Sequence, residues 1–441
     1  MKINVISLGC PKNQVDLEVM AAILEEKGHM LVSEDIDADI VIVNTCAFIE
    51  EAVKESIDNI LDEAWLKENR GLKGIIVSGC LAERYGEQIF REMPEVDAVI
   101  GAGSIHDICE AVDAVSEGRK FTSLKPIDEM KLGGTRKLTG PVYSTYLKIA
   151  EGCDNHCTYC VIPQIRGRYR SRKMEDLIEE AVSLQKKGVK ELILVAQDTT
   201  RYGTDIYGKK MLPQLLMELA DKTEIPWIRV LYCYPEEVDE ELAEAINYSD
   251  RILPYIDLPV QHVSDAVLKR MNRRGGEKAV RDAVDLLRNK VKGLVLRTTL
   301  IVGFPGETEE DVRQLCKFVD EVEFDHLGVF TYSREEDTPA SLMPEQIDEK
   351  VKEERKDAVM RRQLDICSLK NEKKVGQTIE VICEGYDVVA ETYFGRSRGD
   401  APEIDGKVFF SGKKAVAPGT FVKVRIEKAI DYDLIGKIVN S

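Results

Sequence analysis

The feature that most restricts the fold is a recurring unit, a short apolar run bounded by a turn and followed by a stretch of helical period. It recurs through about three quarters of the 441 residues and then stops. Strands joined by helices pair in parallel, with the helices covering the sheet. Strands are predicted at 2–8, 40–44, 74–78 and 98–101, with helices over 14–27, 50–68 and 83–93 between them. A polar stretch at 126–139, holding Gly133-Gly134, has neither period and reads as a linker. The alternation resumes with strands predicted at 145–150, 191–196, 228–232, 255–259, 296–302 and 327–331. Six such units suggest a partial barrel whose site lies at the C-terminal strand ends. Beyond a charged helical segment at 345–374, five short strands at 378–383, 388–394, 407–410, 421–429 and 434–439 are separated by Gly, Pro and Asp. That is the pattern of a small closed β-barrel of the oligonucleotide-binding type. The expected fold is multidomain, α/β plus β. An N-terminal open parallel α/β sheet (1–125) and a linker (126–139) precede a partial (β/α)6 TIM-like barrel with a trailing helix (140–374). A five-stranded barrel (375–441) follows.

No window approaches the roughly 18 consecutive apolar residues of a membrane span, so no membrane partner is expected. The apolar run at 2–8 ends in a turn and shows no small-residue cleavage site, which reads as a first strand and not as a signal peptide. A cytoplasmic location is expected. Eleven cysteines, an odd and unevenly spaced set, then argue against a disulfide framework and for soft-metal or iron–sulfur ligation.

The densest group is Cys153-Asp-Asn-His-Cys157-Thr-Tyr-Cys160, directly after the first barrel strand. Three thiolates within so short a loop can wrap three corners of a cubane [4Fe–4S] cluster and leave the fourth iron without a protein ligand. Such an iron can be chelated by the amino and carboxylate groups of S-adenosylmethionine, whose reductive cleavage yields a radical able to abstract hydrogen. A zinc site with a distant fourth ligand is the alternative, although zinc motifs more often pair two Cys-x2-Cys units. The C-x3-C-x2-C spacing resembles the signature of the radical S-adenosylmethionine superfamily. That resemblance implies that Tyr159 borders the adenine. Other strand ends carry candidate cofactor contacts: Gln197 and Asp198 on the second, Gln261 and His262 on the fourth, and Gly303-Phe-Pro-Gly306 on the fifth. A glycine backbone at Gly303 could approach the adenine closely. Each of these also has a plain reading as a strand-to-helix turn.

A second group is Cys10, Cys46 and Cys80, each at or near the end of a predicted parallel strand in the first domain. Strand C-termini of an open parallel sheet converge on one crevice, so residues about 35 apart would meet there, with Gly9 and Gly79 permitting tight turns. A second cluster is expected at this position. Cys109, Cys233, Cys316, Cys367 and Cys383 lack such context and read as core, Cys233 least clearly, and His156 reads as a neighbour of the cluster loop.

With both triads in view the chain resembles the methylthiotransferases, which join an N-terminal cluster domain, a radical barrel and a C-terminal TRAM barrel. The resemblance is carried by Ser7-Leu-Gly-Cys-Pro-Lys-Asn13, Asn44-Thr-Cys-Ala-Phe-Ile-Glu-Glu51, Gly79-Cys-Leu-Ala-Glu-Arg-Tyr85, Leu147-Lys-Ile-Ala-Glu-Gly-Cys153 and Pro163-Gln-Ile-Arg-Gly-Arg-Tyr-Arg-Ser-Arg172. It implies two [4Fe–4S] clusters, one on Cys10, Cys46 and Cys80 and the other on Cys153, Cys157 and Cys160, together with S-adenosylmethionine. It also implies a reductant such as flavodoxin or ferredoxin. These motifs are similar to the branch that methylthiolates the β-carbon of an aspartate on a small-subunit ribosomal protein near the decoding centre. The alternative branch modifies a tRNA adenosine and usually has Gln-Met-Asn where this chain has Pro11-Lys12-Asn13. Charge points the same way. The chain carries a net −18, and residues 375–441 hold nine basic and ten acidic side chains, net −1. A barrel gripping tRNA should carry a basic surplus, although Arg396 and Arg398 could form a local patch. A third reading, an RNA-binding protein with structural clusters, is opposed by the same charge.

Overall fold

The structure is a computed structural model that describes residues 1–439. The first part contains β1 (Lys2–Ser7), α1 (Pro11–Glu26), β2 (Met30–Val32), β3 (Ile40–Thr45), α2 (Glu50–Arg70) and β4 (Gly74–Gly79). It continues through α3 (Cys80–Tyr85), α4 (Gln88–Glu92), β5 (Ala98–Gly101), α5 (Ile108–Ser116) and β6 (Phe121–Ser123). The six strands form an all-parallel sheet in the order β2-β1-β3-β4-β5-β6. Strand periodicity sends successive side chains to opposite faces. Ile40 and Ile42 therefore pack with Leu17 and Ile108 of α1 and α5, while Val41 and Val43 pack with Ile60 of α2. The three-residue edge strands β2 and β6 escape the sequence pattern because they are short and incompletely buried. The single helix expected at 83–93 is two, broken at Gly86 where φ is +51°.

The second part contains β7 (Ser144–Lys148), β8 (Ala150–Glu151), α6 (Ile162–Arg166), β9 (Arg170–Ser171), α7 (Met174–Lys186), β10 (Glu191–Val195), α8 (Leu212–Lys222) and β11 (Trp227–Val230). Then come α9 (Glu240–Ile246), β12 (Ile252–Asp257), α10 (Asp265–Arg270), α11 (Gly276–Lys290), β13 (Val295–Val302), α12 (Glu309–Val322), β14 (His326–Thr331) and α13 (Glu349–Glu372). Six strands pair in parallel in chain order from β7 through β10 to β14, a partial barrel with β7 and β14 as its edges. All six expected strands are present, displaced by a few residues at their ends. The intervening polar stretch is less passive than a linker: Arg136 is buried and bonds Glu18 at 2.6 Å, Glu180 at 2.7 Å and the Tyr146 carbonyl at 2.6 Å.

The last part, β15 (Thr378–Asp387), β16 (Thr392–Ser397), β17 (Val408–Ser411), β18 (Phe421–Ile430) and β19 (Asp433–Ile438), closes into a barrel in the order β15-β16-β17-β19-β18. The strand expected at 388–394 starts only at Thr392. Residues 388–391 are the hairpin turn, with Glu391 at φ +51° and Val389 almost fully exposed. Two β-branched valines mimic a strand there, but nothing covers them.

This barrel seats against the central sheet. Leu192 and Leu194 point to the helices, whereas Ile193 and Val195 face the other way and pack with Tyr146, Trp227, Tyr255, Ile382, Ala401 and the partly buried Phe421. Arg396 and Arg398 do not form a surface patch. Arg396 is buried, with Nη2 2.6 Å from Glu191 and Nε 2.7 Å from Glu384, and Arg398 donates to the Asp250 carbonyl. Glu191 also holds Arg229 at 2.9 Å. Against the opposing effect of burial, Arg396 and Arg229 hold the Glu191 carboxyl down to about 2. Stability from this pairing is fully present above the ordinary 4.5 and is lost as pH falls through about 2. We expect Arg396→Met to destabilise the protein by about 3 kcal/mol at neutral pH, the low end for a broken buried pair because Arg229 still pairs with Glu191. Its deficit should shrink below pH 4.5, read from denaturation midpoints of the two proteins across that window.

Candidate active site

Cys10 caps the N-terminus of α1, Cys46 directly follows β3, and Cys80 opens α3 after β4. Because β1, β3 and β4 are neighbours in the sheet, the three cysteines meet at one crevice. Two glycines make this possible. Gly9 has φ +84°, and a Cβ there would lie 2.8 Å from the Cys46 Sγ; Gly79 has φ +87°, and its Cβ would lie 2.8 Å from the Thr45 carbonyl. Asn13 ties the loops together, donating to the carbonyls of Thr45 at 2.8 Å and Leu8 at 3.1 Å. Burial, and then Cys80 and Cys10, push the Cys46 thiol up to about 12. Burial also raises Cys80, opposed by Arg166, whose Nη2 lies 3.3 Å from its sulfur. Buried thiols such as Cys46 and Cys80 ionise only beside a cation, and soft sulfur donors suit iron.

The second triad lies on the loop after β8. The ladder of β8 with β9 folds this loop back, and Cys153 N donates to the Gly167 carbonyl at 3.1 Å. Thr158 clasps the segment after α10 through the carbonyls of Arg270 and Met271. Cys153 and Cys157 are buried and Cys160 is half-buried, while His156 is exposed in the left-handed region at φ +48°. Burial pushes Cys153 up to about 11 and raises Cys160 further. Among the described residues, no three His, Cys, Asp or Glu side chains converge tightly enough to hold one ion. A cubane spreads its thiolates over different irons, which three cysteines on one short loop can reach.

Around this loop lie the expected cofactor contacts. Tyr159 stands edge-on to Phe304 with ring centroids 6.5 Å apart. Gln197 donates to Glu151 at 2.8 Å and leaves its buried Oε1 without a partner. Gln261 sits at φ +67°, bridged to Leu300, and its Oε1 is likewise unpartnered. His262 accepts the Ser264 N–H on Nδ1, leaving Nε2 unpartnered, and burial lowers its pKa to about 4. Asp198 accepts from Asn155 at 3.0 Å. Unsatisfied buried polar atoms gathered on one rim fit a polar cofactor. Gly303 also has a packing requirement for glycine: at φ +73° its Cβ would collide with the side chain of Lys352 on α13. Its N–H goes to Glu307 at 2.7 Å. Cys233 is buried against Thr199, 3.6 Å away, and is a core residue.

Two arginines escaped the sequence reading. Arg273 lies 4.1 Å over the Tyr234 ring, donates to the Pro259 carbonyl at 2.9 Å and leaves Nη1 unpartnered. Burial opposes its charge, while Tyr234, Tyr159 and Cys157 favour it. Arg166, the last residue of α6, reaches to the first crevice, bonding Asp16 at 2.6 Å, Glu151 at 3.3 Å, Asn13 and the Cys80 sulfur. The only sequence signal for Arg166 was its place in an arginine-rich run after the motif, and Arg273 had none beyond its neighbours Arg270 and Arg274.

Comparison with known proteins agrees. Residues 2–101 match the model described as Uncharacterized protein family UPF0004, 147–319 the Radical SAM superfamily, and 375–439 the TRAM domain. A solved structure of the radical S-adenosylmethionine methyltransferase TsrM from Kitasatospora setae, with cobalamin and a [4Fe–4S] cluster bound, has a similar fold. The TM-score is 0.57 at 16% identity, covering 77% of each chain. Fold and motifs together define a radical S-adenosylmethionine enzyme carrying a cysteine-bearing domain in front and a TRAM barrel behind. Two relatives named ribosomal protein uS12 methylthiotransferase RimO are similar over essentially their whole lengths. The one from Clostridioides difficile (strain 630) is 48% identical over 440 residues, covering 100% of this chain and 99% of its own. The one from Thermoanaerobacter sp. (strain X514) is 49% identical over 436 residues, covering 99% of each. The chain belongs to the RimO family of methylthiotransferases, which use S-adenosylmethionine and [4Fe–4S] clusters. If each triad holds one cluster, Cys157→Ala should halve the iron and sulfide of the anaerobically reconstituted protein. Loss of both to zero would contradict a two-site arrangement.

Proposed function

We propose that this enzyme methylthiolates the β-carbon of an aspartate in ribosomal protein uS12, in the cytoplasm, with electrons from a flavodoxin- or ferredoxin-like donor. The observation that carries the reading is the pairing of two cysteine triads across one interface, Cys10, Cys46 and Cys80 against Cys153, Cys157 and Cys160, with Arg166 reaching from the second loop to the Cys80 sulfur. Full-length similarity to proteins bearing that activity in their names supports it. Bound at these triads, the cluster at Cys153, Cys157 and Cys160 would supply the electron that cleaves S-adenosylmethionine, and the one at Cys10, Cys46 and Cys80 would hold the sulfur that is transferred.

The chain's own residues supply position and environment. Tyr159 and Phe304 offer an aromatic edge for the adenine, and Gln197 and Gln261 present acceptor oxygens to the polar part of the cofactor. Arg273 offers an unused N–H to an anionic group beside Cys157. Gly303 acts indirectly, by letting Lys352 close the space behind the strand end. Burial of both loops excludes water from a reaction in which a reactive intermediate must meet only its substrate. A tRNA substrate is disfavoured because the terminal barrel has no basic surplus and Arg396 is engaged internally.

Deletion of the gene should remove a methylthio mass from uS12 and leave tRNA nucleosides unchanged in mass spectrometry. Loss of methylthioadenosine with intact uS12 would instead assign the chain to tRNA. In the purified enzyme, Cys46→Ala should retain cleavage of S-adenosylmethionine and abolish sulfur transfer. Product formation by that variant would remove Cys46 from the transfer site.

A further inference from the structure

Lys12 occupies an unusual position for a charged side chain. It lies in the first turn of α1, after Pro11, where the helix dipole disfavours a positive charge. It is 8% exposed, so its ammonium is also largely stripped of water. Its buried neighbours are all compensated. Lys148 pairs with Asp16 and Glu151, Arg166 pairs with the same two carboxylates, and Arg136 pairs with Glu18 and Glu180. Among the described residues Lys12 has neither an ion pair nor a hydrogen bond through Nζ. Its contact is the face of Tyr232, 3.8 Å from the ring centroid.

Tyr232 is itself unusual. It leaves β11 with φ +63°, a strained conformation for a bulky residue, and its N–H is held by Asp257 at 3.0 Å. The strain keeps the ring beneath Lys12 at the C-terminal end of the barrel strands. Lys12 therefore points from the crevice of Cys10 toward Tyr232 at the barrel rim, with up to three N–H donors free.

Resting on the methylthiolation reading above, we propose that Lys12 binds the side-chain carboxylate of the acceptor aspartate and so selects it. The carboxylate is one bond from the β-carbon, so holding it places the reacting C–H within a narrow arc beside the crevice of Cys10. A buried unpaired ammonium accepts a carboxylate far better than the neutral edge of a nucleobase or an amide, which cannot repay its desolvation. Lys12 is here a specificity-determining residue.

The test compares reconstituted wild-type protein with Lys12→Met, which keeps side-chain length without charge, and with Lys12→Arg. The probe is a fluorescent peptide of the uS12 loop bearing either Asp or Asn at the acceptor position, and anisotropy gives the affinities. Iron and sulfide content verifies each preparation. Wild-type protein should bind the Asp peptide on the order of 10- to 100-fold tighter than the Asn peptide. Lys12→Met should bring the ratio close to one, and Lys12→Arg should restore much of it. An unchanged ratio in Lys12→Met overturns the proposal, as does a ratio near one in wild-type protein, which stands even if the variants fail to fold. A changed electron-paramagnetic-resonance signal of the first cluster with the ratio intact also overturns it, because Lys12 then only balances cluster charge. Wild-type protein that modifies tRNA and leaves the loop untouched brings down the parent reading itself.

Discussion

Four charged side chains, Asp16 and Glu151 with Lys148 and Arg166, are buried together where α1 meets the first barrel strand and its following loop. Removing four charges from water costs several kcal/mol each, and the cost is offset here because each carboxylate meets both cations. Glu151 registers the balance. Burial alone would raise it, yet Lys148 and Arg166 hold it well below the usual carboxylate range. A shift of either element would strand a charge, so the interface has one good register. Everything proposed for the site depends on that register, because it fixes the first crevice against the rim of the barrel.

The central sheet is thus gripped at both ends by buried charge. At the C-terminal ends of its strands the grip comes from α1 and the loop after Cys160. Elsewhere on its inner face it comes from Glu191, Tyr255, Arg297 and His326, which meet Arg396, Asp405 and Asp400 of the terminal barrel. Hydrophobic contact between Trp227 and Phe421, with ring centroids 4.9 Å apart, completes the seat. Six strands leave the barrel unclosed, so its inner face has to be covered by something else, and these two domains supply part of that cover.

Much of this was legible from periodicity and spacing. The strands of both α/β parts are long apolar runs, and parallel burial demands such runs. The convergence of Cys10, Cys46 and Cys80 followed from their common position after neighbouring strands. What stayed hidden were pairings between residues far apart in the chain. Arg396 looked like a surface cation because Glu191 is 205 positions away. Arg166 and Arg136 were passed over for the same reason. Val388 and Val389 misled in the opposite direction, since β-branched residues at a hairpin turn imitate the strand they interrupt. The close approach of Lys352 to Gly303 was not legible, because it arrives from a helix that local sequence cannot connect to that glycine.

The buried position of Arg396 bears on how such a chain could be taken apart or recombined. Along the sequence the terminal barrel looks like an appended module, bounded by the long helix α13 and carrying its own small core. Physically it is not detachable. Without it, Glu191 and Arg229 would face open space on the inner wall of the catalytic sheet, and Trp227 would lose its cover. A shortened chain would therefore be a wounded enzyme and not a smaller one, and any lineage exchanging its terminal barrel would have to exchange the matching residues of β10 and β11 with it.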